Sequence, residues 1–119
     1  YRVQWKRIND AKLDTHFKAG NRLIVPHKGA EQMEFVCQRY PQYSRDQIWM
    51  VGDSLRSDIE PAIASGMNAI LIDGAYCSAA GYFGVTAQPL DEAKFTRVTS
   101  LTSAAMIILH VAELHAHVA

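Results

Sequence analysis

The chain has 119 residues, enough for one domain and too few for two. Hydrophobic residues make up 49% and charged residues 20%, a globular balance that argues against disorder. The 12 Lys and Arg cancel the 12 Asp and Glu, which argues against nucleic-acid binding through bulk charge. No apolar run approaches the roughly 20 residues of a membrane span.

Two cysteines, Cys37 and Cys77, are too few for a disulfide scaffold and lack metal-site spacing. A reducing, cytoplasmic setting is the expectation, and no secretory signal is visible. Tyr1 in place of an initiator Met suggests a processed chain or a piece of a longer one.

Residues 1–18 are polar with scattered apolar positions and read as weakly helical. Gly20 and Asn21 mark a turn. Residues 23–25 (Leu-Ile-Val), stopped by Pro26, predict a strand. Over residues 29–40, Met33, Val36, Cys37 and Tyr40 recur at i, i+3, i+4 and i+7, which predicts a helix ended by Pro41. Residues 48–51 are continuously apolar and predict a strand covered on both faces, as in a parallel sheet. Ser57 and Glu60 match a capping box, Ile59, Ala62 and Ile63 form a helical face, and Gly66 fits a C-terminal cap.

Residues 69–72 form a second continuous apolar strand, so this region reads as a βαβ unit. Residues 74–94, with Gly74, Gly81, Gly84 and Pro89, read as a long loop, and a short strand is expected near Arg97 and Val98. Residues 102–116 form the closing helix, with Ala105, Ile108, Leu109 and Ala112 expected inward. The fold class is α/β with a parallel sheet.

The segment Val51-Gly52-Asp53-Ser54-Leu55-Arg56-Ser57-Asp58 lies between the end of a buried strand and the start of a helix. Ligands of open α/β sheets bind at such strand ends. Asp53 and Asp58 flank one turn, and paired hard oxygens suit Mg²⁺. They could equally be a strand terminator and a helix cap. Lys28 follows the strand predicted at residues 23–25 and precedes a helix. In a parallel sheet it opens on the same edge as the two acids, where its ammonium can pair with a carboxylate or a phosphate.

Lys28, then residues 51–59, then Ala62, Gly66 and Met67, resemble the third and fourth motifs of the haloacid dehalogenase (HAD) superfamily of hydrolases. The resemblance runs over residues 3–72 and is most specific at residues 51–67. Residues 3–17 are similar to the helix after that family's second motif, and residues 101–109 to its last helix. It implies a Rossmann-like three-layer core around a parallel sheet and a Mg²⁺-dependent phosphatase or related hydrolase. It also implies a phosphorylated small-molecule substrate. Lys28 would stabilise the nucleophile and the developing charge, Asp53 and Asp58 would hold Mg²⁺, and Ser54 would contact substrate.

The family's nucleophile is the first aspartate of a DxD pattern near the N-terminus, and no DxD occurs in this chain. Asp10 and Asp14 lie in a polar stretch, and the second-motif Ser or Thr is also missing. The resemblance therefore covers the C-terminal half of a core, without its N-terminal strands, nucleophile, general acid or cap domain. The expectation is a chain inactive alone. In the family's sheet the nucleophile strand lies beside the strand at residues 48–51, which would here present an open edge. That edge predicts pairing with the missing half or a homo-oligomer, or else a rearranged sheet with residues 23–25 alongside.

Two other readings compete. Gly52-Asp53-Ser54-Leu55 also spells the block of GDSL esterases, with Ser54 as nucleophile, but the DxxH that supplies that family's base occurs nowhere in this chain. The other is a truncated, non-catalytic α/β module for binding or assembly. His115 and His117 at the end of a helix read as complements to its dipole.

Overall fold

The structure, a computed structural model, describes residues 28–73 and 92–118, together with Lys6, Asp10, Lys12 and Thr15. The strand expected at residues 23–25 and most of the loop expected at residues 74–94 lie outside the described residues. The end of that loop, Glu92–Lys94, is a 3-10 turn. Lys6 and Asp10 are helical and ion-paired, in keeping with the weak helix expected there.

Helix α1 (Ala30–Arg39) buries Met33 and Cys37, one turn apart, as its periodicity requires. It stops at Tyr40, next to Pro41, with the Tyr40 amide bonded to the Cys37 carbonyl. Strand β1 (Trp49–Gly52) follows a 3-10 turn at Arg45–Gln47. The Arg45 guanidinium ties that turn to Glu34 of α1 and to the Ser65 carbonyl, 2.9 Å away.

After β1 the chain makes a π-type turn, Leu55–Ile59, that runs into helix α2 (Glu60–Ala64). Ser54 is the cap: its hydroxyl accepts the Ser57 amide at 3.1 Å, and its carbonyl accepts the amides of Asp58 and Ile59. This corrects the capping box expected at Ser57 and Glu60, because Ser57 already lies inside the helical turn. The α2 exit is as expected. Gly66 has φ +82°, a left-handed conformation that favours glycine. The Met67 amide reaches back to the Ala62 carbonyl and the Gly66 amide to that of Ile63, a Schellman closure with Met67 buried behind it.

Strand β2 (Asn68–Ile72) pairs in parallel with β1, Trp49 opposite Asn68 and Val51 opposite Ile70. Strand β3 (Thr96–Val98) pairs in parallel with the other side of β2, so the order is β1-β2-β3. β2 is central, with Ala69, Ile70 and Leu71 buried. β1 is only half-buried along its length, which corrects the expectation of a strand covered on both faces. Among the described residues, no strand pairs with its outer edge.

Helices α1 and α2 cover one face of the sheet. There Met33, Cys37, Ile59, Ala62, Met67, Ala69, Leu71 and Phe95 form the core. Side chains alternate along a strand, so Trp49 and Ile70 face the other way. Helix α3 (Leu101–Val118) lies on that second face. It starts at Ser100, whose hydroxyl accepts the Ser103 amide at 3.1 Å.

The residues α3 turns inward are Ala104, which is fully buried, with Ile107, Ile108 and Val111 partly so. Of the face expected inward, Ile108 is correct, whereas Ala105, Leu109 and Ala112 are exposed. The helix is apolar around most of its circumference, so periodicity alone does not select one face. The result is an α/β, Rossmann-like three-layer arrangement on a three-stranded parallel sheet, incomplete at the β1 edge. No helix among the described residues is long and apolar enough to cross a membrane.

Candidate functional site

The C-terminal ends of β1 and β2 open on one edge of the sheet, as parallel pairing requires. Lys28 reaches this edge from just before α1, and Asp53, Ser54 and Asp58 reach it from the turn after β1. The Lys28 ammonium forms an ion pair with Asp58 Oδ1. Sequence reasoning left open whether Lys28 would be solvated or paired, and the structure joins it to Asp58.

The pair is asymmetric. The Lys28 side chain is 49% exposed and that of Asp58 only 2%. A buried carboxylate is costly without a partner. Asp58 Oδ2 accepts the Ser54 amide at 3.2 Å, while Oδ1 has the Lys28 ammonium and, among the described residues, no hydrogen-bond donor besides it. The cation therefore compensates Asp58 from the solvent side of the site.

The wide turn explains how Asp58 becomes buried. A helical turn of five residues swings Asp58 back under the end of β1. There its side chain occupies the space a Cβ on Gly52 would need: such a carbon would lie 2.6 Å from the Asp58 Cβ and closer still to the carboxylate. Gly52 is thus a close-approach glycine, a role that the Gly-Asp dipeptide alone does not reveal.

Asp53 follows Gly52 and is exposed at the same edge. Ser54 serves as the helix cap, its hydroxyl engaged by the Ser57 amide. Sequence reasoning also passed over Asp73. It ends β2 as Asp53 ends β1, and its carboxylate takes a 2.8 Å ion pair from Arg97. The recurrence of an acid directly after each apolar strand was the available signal.

These groups define a strand-end site of an α/β protein. One exposed carboxylate stands beside a second, buried carboxylate that a lysine neutralises. Such an arrangement suits a hard cation shared with a phosphate, and an ammonium next to transferring negative charge. The residues present fit Mg²⁺ in that sense. Asp53 offers a hard, accessible oxygen, and Mg²⁺ takes one or two carboxylates with water and phosphate oxygens for the rest. No group of three or more His, Cys, Asp or Glu gathers as a cage among the described residues.

A family comparison matches residues 26–87, just over half of the chain and inclusive of Lys28, Gly52, Asp53, Ser54 and Asp58, to a family described as HAD-hydrolase-like. The chain belongs to that family. Comparisons with curated proteins and with solved structures give no match.

Proposed function

We propose that this chain supplies the lysine and metal-binding side of a phosphatase-type HAD site, corresponding to that family's third and fourth motifs. The observation that carries the reading is the Lys28–Asp58 ion pair, fixed at the end of β1 beside the exposed Asp53. Asp53 would hold Mg²⁺, and Asp58 would act on it through water while setting the position of Lys28. Mg²⁺ would supply charge stabilisation to a transferring phosphoryl group. The Lys28 ammonium, half in solvent, is placed to attract a phosphorylated small molecule and to offset its charge.

The aspartate nucleophile would come from a strand outside this sequence, because no DxD occurs within it. The outer edge of β1, unpaired among the described residues, supports a docking position for that strand. By this reading the chain alone turns over no phosphate ester. The GDSL reading loses ground, since no DxxH is present to supply its base.

Titration of the labelled chain with MgCl₂, followed by amide shifts, tests the metal assignment. The expected result is saturable movement at Asp53 and Ser54 with a Kd on the order of millimolar, as two carboxylates and water would give. Asp53→Asn should abolish it. No movement up to saturating salt, or equal movement in Asp53→Asn, would overturn the assignment. Micromolar affinity would point to a protein ligand beyond these two acids.

A further inference from the structure

Helices α1 and α2 lie on one face of the sheet and run in the same direction, away from the strand-end site. Two polar rungs join them. At the site, the Lys28 ammonium at the entrance to α1 meets Asp58 in the turn that leads into α2. Farther down, Arg45 joins the middle of α1 to the exit of α2. Its Nη1 donates to Glu34 Oε2 at 2.6 Å and to the Ser65 carbonyl at 2.9 Å, and its Nη2 donates to Glu34 Oε1. The Arg45 stem rests against the α2 exit, its Cδ 3.6 Å from where a Cβ on Gly66 would lie.

The rungs are matched in spacing. Lys28 and Glu34 are six residues apart and Asp58 and Ser65 seven, on the order of 10 Å along either helix. Between the rungs lies a narrow apolar seam, to which α1 gives Met33 and Cys37 and the α2 side gives Ile59 and Ala62. Helix α2 has only five residues, and apolar contact is non-directional, so the seam resists separation more than sliding. Asp58 is held in place, packed under Gly52 and bonded to the Ser54 amide. Lys28 instead rides on α1, whose N-cap Gly29 makes no side-chain cap bond.

We propose that Arg45 is a positioning residue: by pinning α1 to the end of α2, it sets where the Lys28 ammonium stands over Asp58. One rung lets α1 pivot, and two fix both its height and its tilt. An exposed ion pair alone contributes little, and the Glu34 and Arg45 side chains are 40% and 44% exposed. The forked pairing with both Glu34 oxygens and the third bond to a backbone carbonyl are what make a fixed rung. A guanidinium has the shape for all three and an ammonium does not. That the same rung governs where Lys28 meets a phosphoryl group rests on the function proposed above, whereas the pinning of Lys28 does not.

Amide spectra of the labelled full chain test it through Ser54, whose amide bonds Asp58 and so reports the Lys28 pair. Lys28→Met sets the full displacement of that resonance. Arg45 makes no hydrogen bond or ion pair to residues 52–58, yet Arg45→Met should move the resonance the same way, by roughly a third as much or more. Arg45→Lys, which keeps the charge and loses the fork, should fall between Arg45→Met and the wild type. Arg45→Met combined with Lys28→Met should move the resonance no further than Lys28→Met alone. Glu34→Gln breaks the same rung from the α1 side and serves if Arg45→Met folds poorly. Ser100→Ala removes the α3 cap and should leave the resonance in place, which separates positioning from general loss of stability. A Ser54 resonance unmoved in both Arg45→Met and Glu34→Gln would overturn the proposal. So would additive displacements in the double variant, or a displacement in Ser100→Ala equal to that in Arg45→Met. The readout needs no ligand, so the function proposed above stands or falls separately, on the Mg²⁺ titration.

Discussion

Replacing Gly52 with Ala adds one methyl group where Asp58 already sits. The new carbon would lie 2.6 Å from the Asp58 Cβ and nearer to its carboxylate. Comfortable carbon contacts start at about 3.5 Å, so the overlap is about 1 Å. The backbone itself raises no objection, because among the described glycines only Gly66 has positive φ. The whole cost therefore comes from the collision.

Asp58 is 1% exposed and cannot yield without leaving the Ser54 amide and the Lys28 ammonium. Overpacking costs about 1–3 kcal/mol. Parting a buried ion pair costs about 3–5 kcal/mol, less here because Lys28 is half in solvent and keeps its hydration. About 3 kcal/mol is the expected loss, a large part of the roughly 5–15 kcal/mol that holds a domain folded. Urea unfolding followed by circular dichroism measures it as a lowered midpoint at constant slope.

The same substitution in an Asp58→Ala background should cost about half as much. The carboxylate is then gone while the Cβ at 2.6 Å stays. A Gly52→Ala loss below about 1 kcal/mol, or strict additivity with Asp58→Ala, would refute the packing argument.

Two further substitutions test the frame around the site. Ser54→Ala removes the hydroxyl that accepts the Ser57 amide and should cost about 1 kcal/mol in the same urea assay. No loss would mean that the wide turn closes without its cap. Glu34→Gln tests the tie between α1 and the 3-10 turn before β1. The Arg45 guanidinium holds the Glu34 carboxyl below its ordinary 4.5. A lowered carboxyl pKa adds stability above the ordinary value, and that stability is lost as pH falls through the folded value. The wild type should therefore exceed Glu34→Gln in stability at neutral pH and lose that advantage below pH 4.5. Parallel stability curves from pH 7 to pH 3 would contradict the pairing.

Elements defined by uninterrupted apolar runs or by a single clean stripe were legible in the sequence. Helix α1 shows its face because Met33, Val36 and Cys37 recur at helical spacing and, apart from the exposed Phe35, the helix between and beside them is mostly polar. Strand β2 shows its burial because it is central, and the same kind of run at β1 misleads because β1 lies at an edge among the described residues. The choice between Ser54 and Ser57 as cap depends on a five-residue turn, which no three-residue spacing rule encodes. Helix α3 hides its inward side because both faces are apolar, so the expected face fell on the exposed stripe of Ala105, Leu109 and Ala112. In the site, Lys28, Asp53 and Asp58 stood out by chemical type at strand ends. The burial of Asp58 under Gly52 did not, since it arises from a close approach across the turn.

By the proposed reading, this chain holds the Lys28, Asp53 and Asp58 side of a phosphoryl-transfer site and takes its nucleophile from elsewhere. Hydrolysis of p-nitrophenyl phosphate by the purified chain with Mg²⁺ tests it most directly. A nucleophile and a general acid each contribute orders of magnitude to such a rate. Turnover indistinguishable from a mock purification is expected at every Mg²⁺ concentration. Turnover above the mock that disappears in Asp53→Asn would contradict it, because the chain would then carry a nucleophile of its own.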